Sequence, residues 1–300
     1  MTAILVADVL REFAEPMPAD AVIDFFDSDI PQHDCSILVP TVSNRVGKVE
    51  IDRLPNLGLI ANYGVGYDNI DVGHAKARGV AVTNTPGVLT AATAELTWAL
   101  ILAAARRIGE GERLVRTRAW TGWTPTQLRG MSLDGKTLGI IGAGRIGREV
   151  GRRAAVFGMR VMYWSRTIQP ELHHRQLDEL LHASDVVSIH LTRSAETEGL
   201  IDARRLALLR DGAVLINTAR GSIVDESALV RELVSGRIRA GLDVYAQEPW
   251  VPRELLGLEN VVLLPHLGSA THEARQAMWD LAWANVLAFL GGRPLLTPVD

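Results

Sequence analysis

Thr137-Leu138-Gly139-Ile140-Ile141-Gly142-Ala143-Gly144-Arg145-Ile146-Gly147 begins as an apolar run and breaks into glycines spaced G-x-G-x-x-G. A buried strand is predicted to end here and a helix to begin. Gly142 permits the tight turn, Gly144 lets the backbone approach a pyrophosphate, and Gly147 lets the new helix pack closely on its strand. Arg145 and Ile146 open that helix, whose first N–H groups and partial positive charge suit phosphate. A strand before the glycines and a helix after them separates a dinucleotide site from a merely structural turn.

The pattern continues on both sides of this motif. Apolar runs at 160–164, 186–191, 213–217, 240–244 and 261–264 follow the one at 137–141. Six such strands make a full doubly wound parallel sheet. Upstream, runs at 4–7, 36–39, 57–61 and 80–82 alternate with helix-like or polar segments, the rhythm of a smaller parallel α/β domain. Residues 91–107 read as a long helix leading out of that domain, with a boundary near Trp98. Residues 279–290 read as a last helix with a core stripe of Met278, Leu281, Val286 and Phe289, stopped by Gly291 and Gly292. Trp120 and Trp123 lie in a polar, irregular stretch beside Gly122 and Pro125, which suggests an arm packed on a partner subunit.

Length and composition narrow the function. Three hundred residues, 47% of them hydrophobic, suit about two domains with packed cores. A net charge of -4 with both signs interspersed offers no basic footprint for nucleic acid and no polybasic patch for a membrane. The single cysteine, Cys35, excludes an intrachain disulfide and reads as a small buried apolar residue. The opening residues lack the basic start of a signal peptide, and the uncharged stretch 96–105 is far short of the roughly 20 residues a membrane span needs. A cytoplasmic protein is expected. His173, His174 and His182, in a polar helical stretch, lack cysteine or carboxylate companions at ligand spacing, so no metal site is expected. His190 reads as a hydrogen-bonded structural residue at a strand end.

The second strand of a dinucleotide-binding sheet normally ends in an acid that holds the ribose 2′-hydroxyl of NAD. Here the place reads Tyr163-Trp164-Ser165-Arg166-Thr167. The acid is absent; Arg166 can pair with a 2′-phosphate and Ser165 and Thr167 can donate to it. NADP(H) is therefore favoured, with NAD(H) possible. Three further stretches place ionisable residues just after predicted strands, the edge where α/β ligands bind: 217–225 with Arg220, 241–249 with Asp243 and Glu248, and 264–271 with His266. At 62–71 the glycines of Asn62-Tyr63-Gly64-Val65-Gly66 would leave backbone N–H groups open to an anion.

Residues 62–71, 83–86, 142–147, 217–225, 241–249 and 265–271 occur in an order and spacing that resembles the D-isomer-specific 2-hydroxyacid dehydrogenase family along nearly the whole chain. Within it, the likeness is to glyoxylate/hydroxypyruvate reductases. The resemblance implies two Rossmann-like domains. A doubly wound dinucleotide-binding domain at 98–282, with a dimerisation arm near 107–135, would be inserted in a smaller flavodoxin-like substrate domain made of 1–97 and 283–300. It implies a catalytic Arg220, Glu248 and His266, with Asp243 near the nicotinamide carboxamide and Thr218 and Gly268 in the cofactor site. It further implies Val65 and Gly66 N–H groups on the substrate carboxylate, a homodimer, and Trp123 reaching the partner subunit's substrate pocket.

These roles suit reduction of a small 2-oxo acid to the D-2-hydroxy acid. Negative charge develops on the carbonyl oxygen as hydride arrives, so a proton must be supplied there; histidine cycles near neutral pH. Glu248 would orient the ring, and the planar fork of Arg220 would grip the carboxylate and polarise the carbonyl. Dehydrogenases of D-lactate, phosphoglycerate, 2-ketogluconate or phosphite share this apparatus, and a corepressor-like, nucleotide-sensing binding protein is the reading from another class. One departure stands out: Thr192-Arg193-Ser194-Ala195-Glu196-Thr197 replaces a proline-containing run, which should loosen the loop and adds Arg193 near the cofactor side.

Overall fold

The computed structural model describes residues 2–14 and 21–299. The chain forms two compact units, Met1–Leu89 with Ala270–Asp300, and Thr90–Ser269. The divisions fall at these points, not near Trp98 and after residue 282. The reason is that the helices Thr90–Arg106 and His272–Leu290 each belong whole to one unit. A continuous helix with buried residues along its length packs as one body.

The first unit is a five-stranded sheet of β1 (Thr2–Ala7), β2 (Ala21–Phe26), β3 (Ile37–Val39), β4 (Leu59–Ala61) and β5 (Ala81–Thr83). All neighbours are parallel, in the order β2-β1-β3-β4-β5, which is the flavodoxin-like winding. β3 and β4 are buried throughout and appear in the sequence as apolar runs. β2 does not, because it is an edge strand: Val22 and Asp24 face solvent while their neighbours are half-buried, so no continuous apolar run forms. The helix His272–Leu290 starts well before the expected Trp279, capped by Thr271, whose Oγ1 accepts the Ala274 N–H at 3.0 Å. It packs on β4 and buries Met278 and Val286 of the expected stripe, with Leu281 and Phe289 half-buried. Cys35 is fully buried, and that burial, chiefly, pushes its thiol up to about 11.

In the second unit β6 (Thr137–Ile141), β7 (Arg160–Trp164), β8 (Val186–Ile189), β9 (Val214–Asn217), β10 (Arg239–Leu242) and β11 (Val261–Leu263) are all parallel, ordered β11-β10-β9-β8-β6-β7. The winding reverses between β6 and β8, and a ligand crevice opens at the carboxyl ends of strands at such a point. The sheet is covered on both faces. One core gathers Trp98, Ile101, Leu138, Ile140 and Val150; the other gathers Ile141, Leu180, Val187, Ile189 and Leu215. His173 and His174 lie outside any helix, His174 bridging Tyr163, while His182 lies in the helix Leu177–Ala183. Among the described residues no group of histidine, cysteine and carboxylates could hold a metal ion, and no helix is long and apolar enough to cross a membrane.

Candidate active site

The glycine turn after β6 has a separate steric reason for each glycine. Gly142 adopts φ +106°, and a Cβ there would collide with the carbonyl of His190. A Cβ on Gly147 would collide with the carbonyl of Gly142, so the helix Arg145–Ala154 can sit this close to its strand only with glycine. At Gly144, the N-cap, a Cβ would meet nothing within 4 Å, and no side chain caps the helix. With no side-chain cap among the described residues and open space beside Gly144, this helix start has room for a pyrophosphate. A fourth glycine, Gly151, lies against the Tyr163 hydroxyl and lets the helix pack on β7.

At the carboxyl ends of β9, β10 and β11 the sheet gathers the ionisable residues. Asn217 closes β9 and clasps the next loop, its Oδ1 accepting the Ala219 N–H at 3.0 Å and its Nδ2 donating to the Arg220 carbonyl at 2.8 Å. Gly221 then allows this loop to touch the backbone of Tyr245, since a Cβ would strike the Tyr245 carbonyl carbon. Two adjacent loops are thereby locked together. Tyr245 donates its N–H to Glu248 Oε1 at 3.2 Å and its hydroxyl to the Leu264 carbonyl at 3.0 Å, tying the Glu248 loop to the His266 loop.

His266 sits at φ +56°, a left-handed conformation that costs a non-glycine residue about 1 kcal/mol or more. Asp243 holds it there: the His266 N–H donates to the Asp243 carbonyl at 2.9 Å, and the Leu267 N–H donates to Asp243 Oδ1 at 2.6 Å. The ring is turned to Glu248, with Nδ1 2.7 Å from Oε2. Burial alone would raise the Glu248 carboxyl; the His266 hydrogen bond and charge, the Tyr245 N–H and the Arg220 charge together outweigh it and hold the group below the ordinary glutamate range. Both side chains remain about one-third exposed. An imidazole backed by a carboxylate beside a guanidinium can pass a proton to an anionic oxygen.

Asp243 itself is fully buried, and that burial raises its carboxyl. Among the described residues its Oδ2 has no hydrogen-bond partner, and neither does the buried Thr93 Oγ1. Both atoms border Gly268, at 3.4 and 3.7 Å from where its Cβ would stand. Two orphaned polar atoms around one glycine are the lining a carboxamide would satisfy. Thr93 was not singled out from sequence; a hydroxyl within the alanine-rich start of the helix Thr90–Arg106 is its only signal. Thr218 lies nearby, its hydroxyl 3.1 Å from that of Thr97.

At β7, Ser165 Oγ donates to the Thr167 carbonyl at 2.6 Å, and Arg166 pairs with Glu196 at 2.5 Å with both side chains exposed. The loop 192–197 is held despite lacking prolines. The buried Thr197 hydroxyl donates to the Thr192 carbonyl and accepts the Ser194 N–H, each at 2.8 Å. Arg193 turns to Glu198 at 3.3 Å. His190 hydrogen bonds Ser188 at 2.8 Å, and burial pushes its imidazole down to about 3, so it stays neutral and structural. Trp120 and Trp123, in an irregular segment, are 53% and 79% exposed.

Comparison with known proteins places the chain in a lineage. Residues 98–268 match the family model described as D-isomer specific 2-hydroxyacid dehydrogenase, NAD binding domain. The chain belongs to this family. Its dehydrogenase relatives include a glyoxylate reductase of Thermococcus litoralis, 48% identical over 85% of this chain and 80% of the relative. Among solved structures, the NADPH-dependent glyoxylate/hydroxypyruvate reductase of Sinorhizobium meliloti, in complex with NADP and malonate, is 37% identical with a TM-score of 0.91, covering 99% of this chain and 96% of that one. A glyoxylate reductase from Paecilomyes thermophila is 35% identical with a TM-score of 0.89, covering 99% and 98%. The protein is thus an NAD(P)-dependent oxidoreductase of the 2-hydroxyacid dehydrogenase type, and its second unit carries the dinucleotide-binding domain.

Proposed function

We propose that the protein reduces glyoxylate, hydroxypyruvate or a similar short 2-oxo acid to the D-2-hydroxy acid, with NADPH preferred over NADH. The observation that carries this reading is the His266–Glu248 pair, 2.7 Å apart at the carboxyl edge of a dinucleotide-binding sheet. Gly142, Gly144, Arg145, Ile146 and Gly147 would hold the pyrophosphate, and Asp243, Thr93, Thr218 and Gly268 the nicotinamide end. A reduced nicotinamide bound there supplies hydride to the carbonyl carbon.

The chain's own residues do the rest. Arg220 pairs with the substrate carboxylate and draws electron density toward the carbonyl oxygen. The imidazolium of His266 delivers a proton from Nε2 to that oxygen, and Glu248 keeps Nδ1 engaged so that the ring neither rotates nor presents the wrong nitrogen. The N–H groups of Val65 and Gly66, in the first unit, are assigned to the substrate carboxylate. Arg166, Ser165 and Thr167 are assigned to the 2′-phosphate. The exposed Trp120 and Trp123 support an arm that docks on a second copy of the chain, with Trp123 shaping its substrate pocket.

A panel of 2-oxo acids assayed with NADPH and NADH in parallel tests substrate, cofactor and class together. Turnover of glyoxylate or hydroxypyruvate is expected, fastest with NADPH, and Arg166→Asp should invert the cofactor ratio. Absence of turnover with every acid would favour a nucleotide-sensing binding protein; a wild-type preference for NADH would defeat the 2′-phosphate assignment.

A further inference from the structure

The turn after β4 has its carbonyls fixed from behind. Asn62, almost fully buried, donates its Nδ2 to the carbonyls of Gly64 at 3.2 Å and Gly66 at 2.8 Å. The Thr85 N–H donates to the Gly64 carbonyl at 3.0 Å. Between them the Val65 carbonyl accepts from Asn84 Nδ2 at 2.8 Å. Three successive carbonyls are thus captured. A peptide whose carbonyl is tied down has its N–H aimed the opposite way, because the unit is planar. Fixing the carbonyls of Gly64 and Val65 therefore fixes the N–H groups of Val65 and Gly66.

Asn84 is in turn held by residues remote in sequence. Thr297 Oγ1 donates to the Asn84 carbonyl at 2.6 Å, and the Asn84 N–H reaches the Thr297 carbonyl at 3.3 Å. Asn285, completely buried within the helix His272–Leu290, secures Thr297: its Nδ2 donates to Thr297 Oγ1 at 2.9 Å, while its Oδ1 accepts the N–H groups of Leu296 at 2.9 Å and Thr297 at 3.2 Å. A hydrogen-bonded line runs Asn285, Thr297, Asn84, Val65.

We infer that Asn84 is a positioning residue for the substrate carboxylate, acting through the Val65–Gly66 peptide, and that Thr297 with Asn285 is the brace that holds it. The inference rests on the carboxylate reading of Val65 and Gly66. It gives a task to the T-N-T-P stretch at 83–86, which the residues of the proton relay leave unexplained. Asn84 touches neither substrate nor cofactor in this scheme. Its amide must present Nδ2, because only a donor can bind a carbonyl.

Steady-state kinetics of the intact enzyme with a short 2-oxo acid and saturating reduced cofactor test this. Asn84→Ala should raise KM for the oxo acid about tenfold with kcat and cofactor KM little changed, the signature of lost uniform binding through one hydrogen bond. Asn84→Asp should raise it further, since a carboxylate oxygen would then repel the Val65 carbonyl. Thr297→Val should give a smaller rise of about threefold in the same direction, and Thr297→Ser, which keeps the hydroxyl, should restore the wild-type KM. A fall in kcat, or a lowered melting temperature with KM unchanged in all three disruptive variants, would overturn the inference and leave a purely structural role. Gly66→Pro, which deletes one N–H directly, separates the two levels. If it raises KM while Asn84→Ala does not, only the positioning role fails; if neither raises it, the carboxylate reading itself fails.

Discussion

Gly142 and His266 both occupy the left-handed region at the carboxyl edge of the same sheet, at φ +106° and +56°, yet for opposite reasons. At Gly142 a backbone carbonyl from the neighbouring strand fills the place of a side chain, and glycine is the only residue that fits. At His266, the proposed proton donor, the strain is offset by Asp243, which grips the backbone of His266 and Leu267. One turn is shaped for packing and the other presents the group proposed to react. Strain tolerated in a residue that also holds an ion pair is the more informative of the two, because a stability-driven sequence would put glycine there.

The largest break in this comparison comes from His266→Gln. Turnover should fall by about 10²–10⁴-fold, the usual worth of a positioned proton donor, while cofactor binding measured by fluorescence titration persists. Near-normal rates would remove His266 from the reaction. Gly147→Ala addresses the packing side: with the Gly142 carbonyl in the way, overpacking should cost about 1–3 kcal/mol and weaken dinucleotide binding together. Gly144→Ala, where a Cβ meets nothing within 4 Å, should leave the melting temperature alone and raise only the cofactor Kd. Equal melting losses for the two would erase the distinction between a glycine needed for packing and one needed for a ligand.

Glu248→Gln sharpens the comparison at the reacting turn. The Glu248 carboxyl is held below its ordinary value of about 4.3, so the pair it forms is present at and above that pH and is lost only as pH falls through the depressed value. Wild-type reduction should therefore hold its rate in acid to below the ordinary glutamate range. Without the carboxylate that engages Nδ1, turnover should fall by about tenfold, the worth of one charge-assisted hydrogen bond; an unchanged rate would show that Glu248 does not act on His266. The smallest effect is the most diagnostic of strain. His266→Gly should stabilise the fold by about 1 kcal/mol, a rise of about 2–4 °C in melting temperature, while abolishing turnover. A lowered melting temperature would mean that the exposed Glu248 pair outweighs the backbone strain.

What could be read beforehand follows the reach of each interaction along the chain. Gly142, Gly144 and Gly147 lie within a single strand-to-helix turn, and Gly147 packs on the Gly142 carbonyl, so their spacing was enough. The buried strands of the second unit were legible because both faces are covered and the apolar runs are continuous. β2 was not, since half of it faces water. Arg220, Glu248 and His266 each announced themselves as ionisable residues after strands, and their convergence was an inference from topology. The left-handed turn at His266, the orphaned Thr93 hydroxyl and the grip of Asn285 on Thr297 depend on contacts between distant residues, and no local pattern encodes them. The domain limits were misplaced because a helix candidate in sequence does not reveal the sheet against which it packs.

The pairing of Pro298 opposite Thr83, with the Val299 N–H donating to the Val82 carbonyl at 2.8 Å, lies along β5, an outer strand of its sheet. An outer strand with open hydrogen-bonding groups is a template on which another chain can add by β-pairing. Here a short antiparallel cover occupies part of it, and proline, lacking an N–H, cannot extend the ladder further. Thr297, which braces Asn84, thus leads directly into the two residues that cover part of this outer strand.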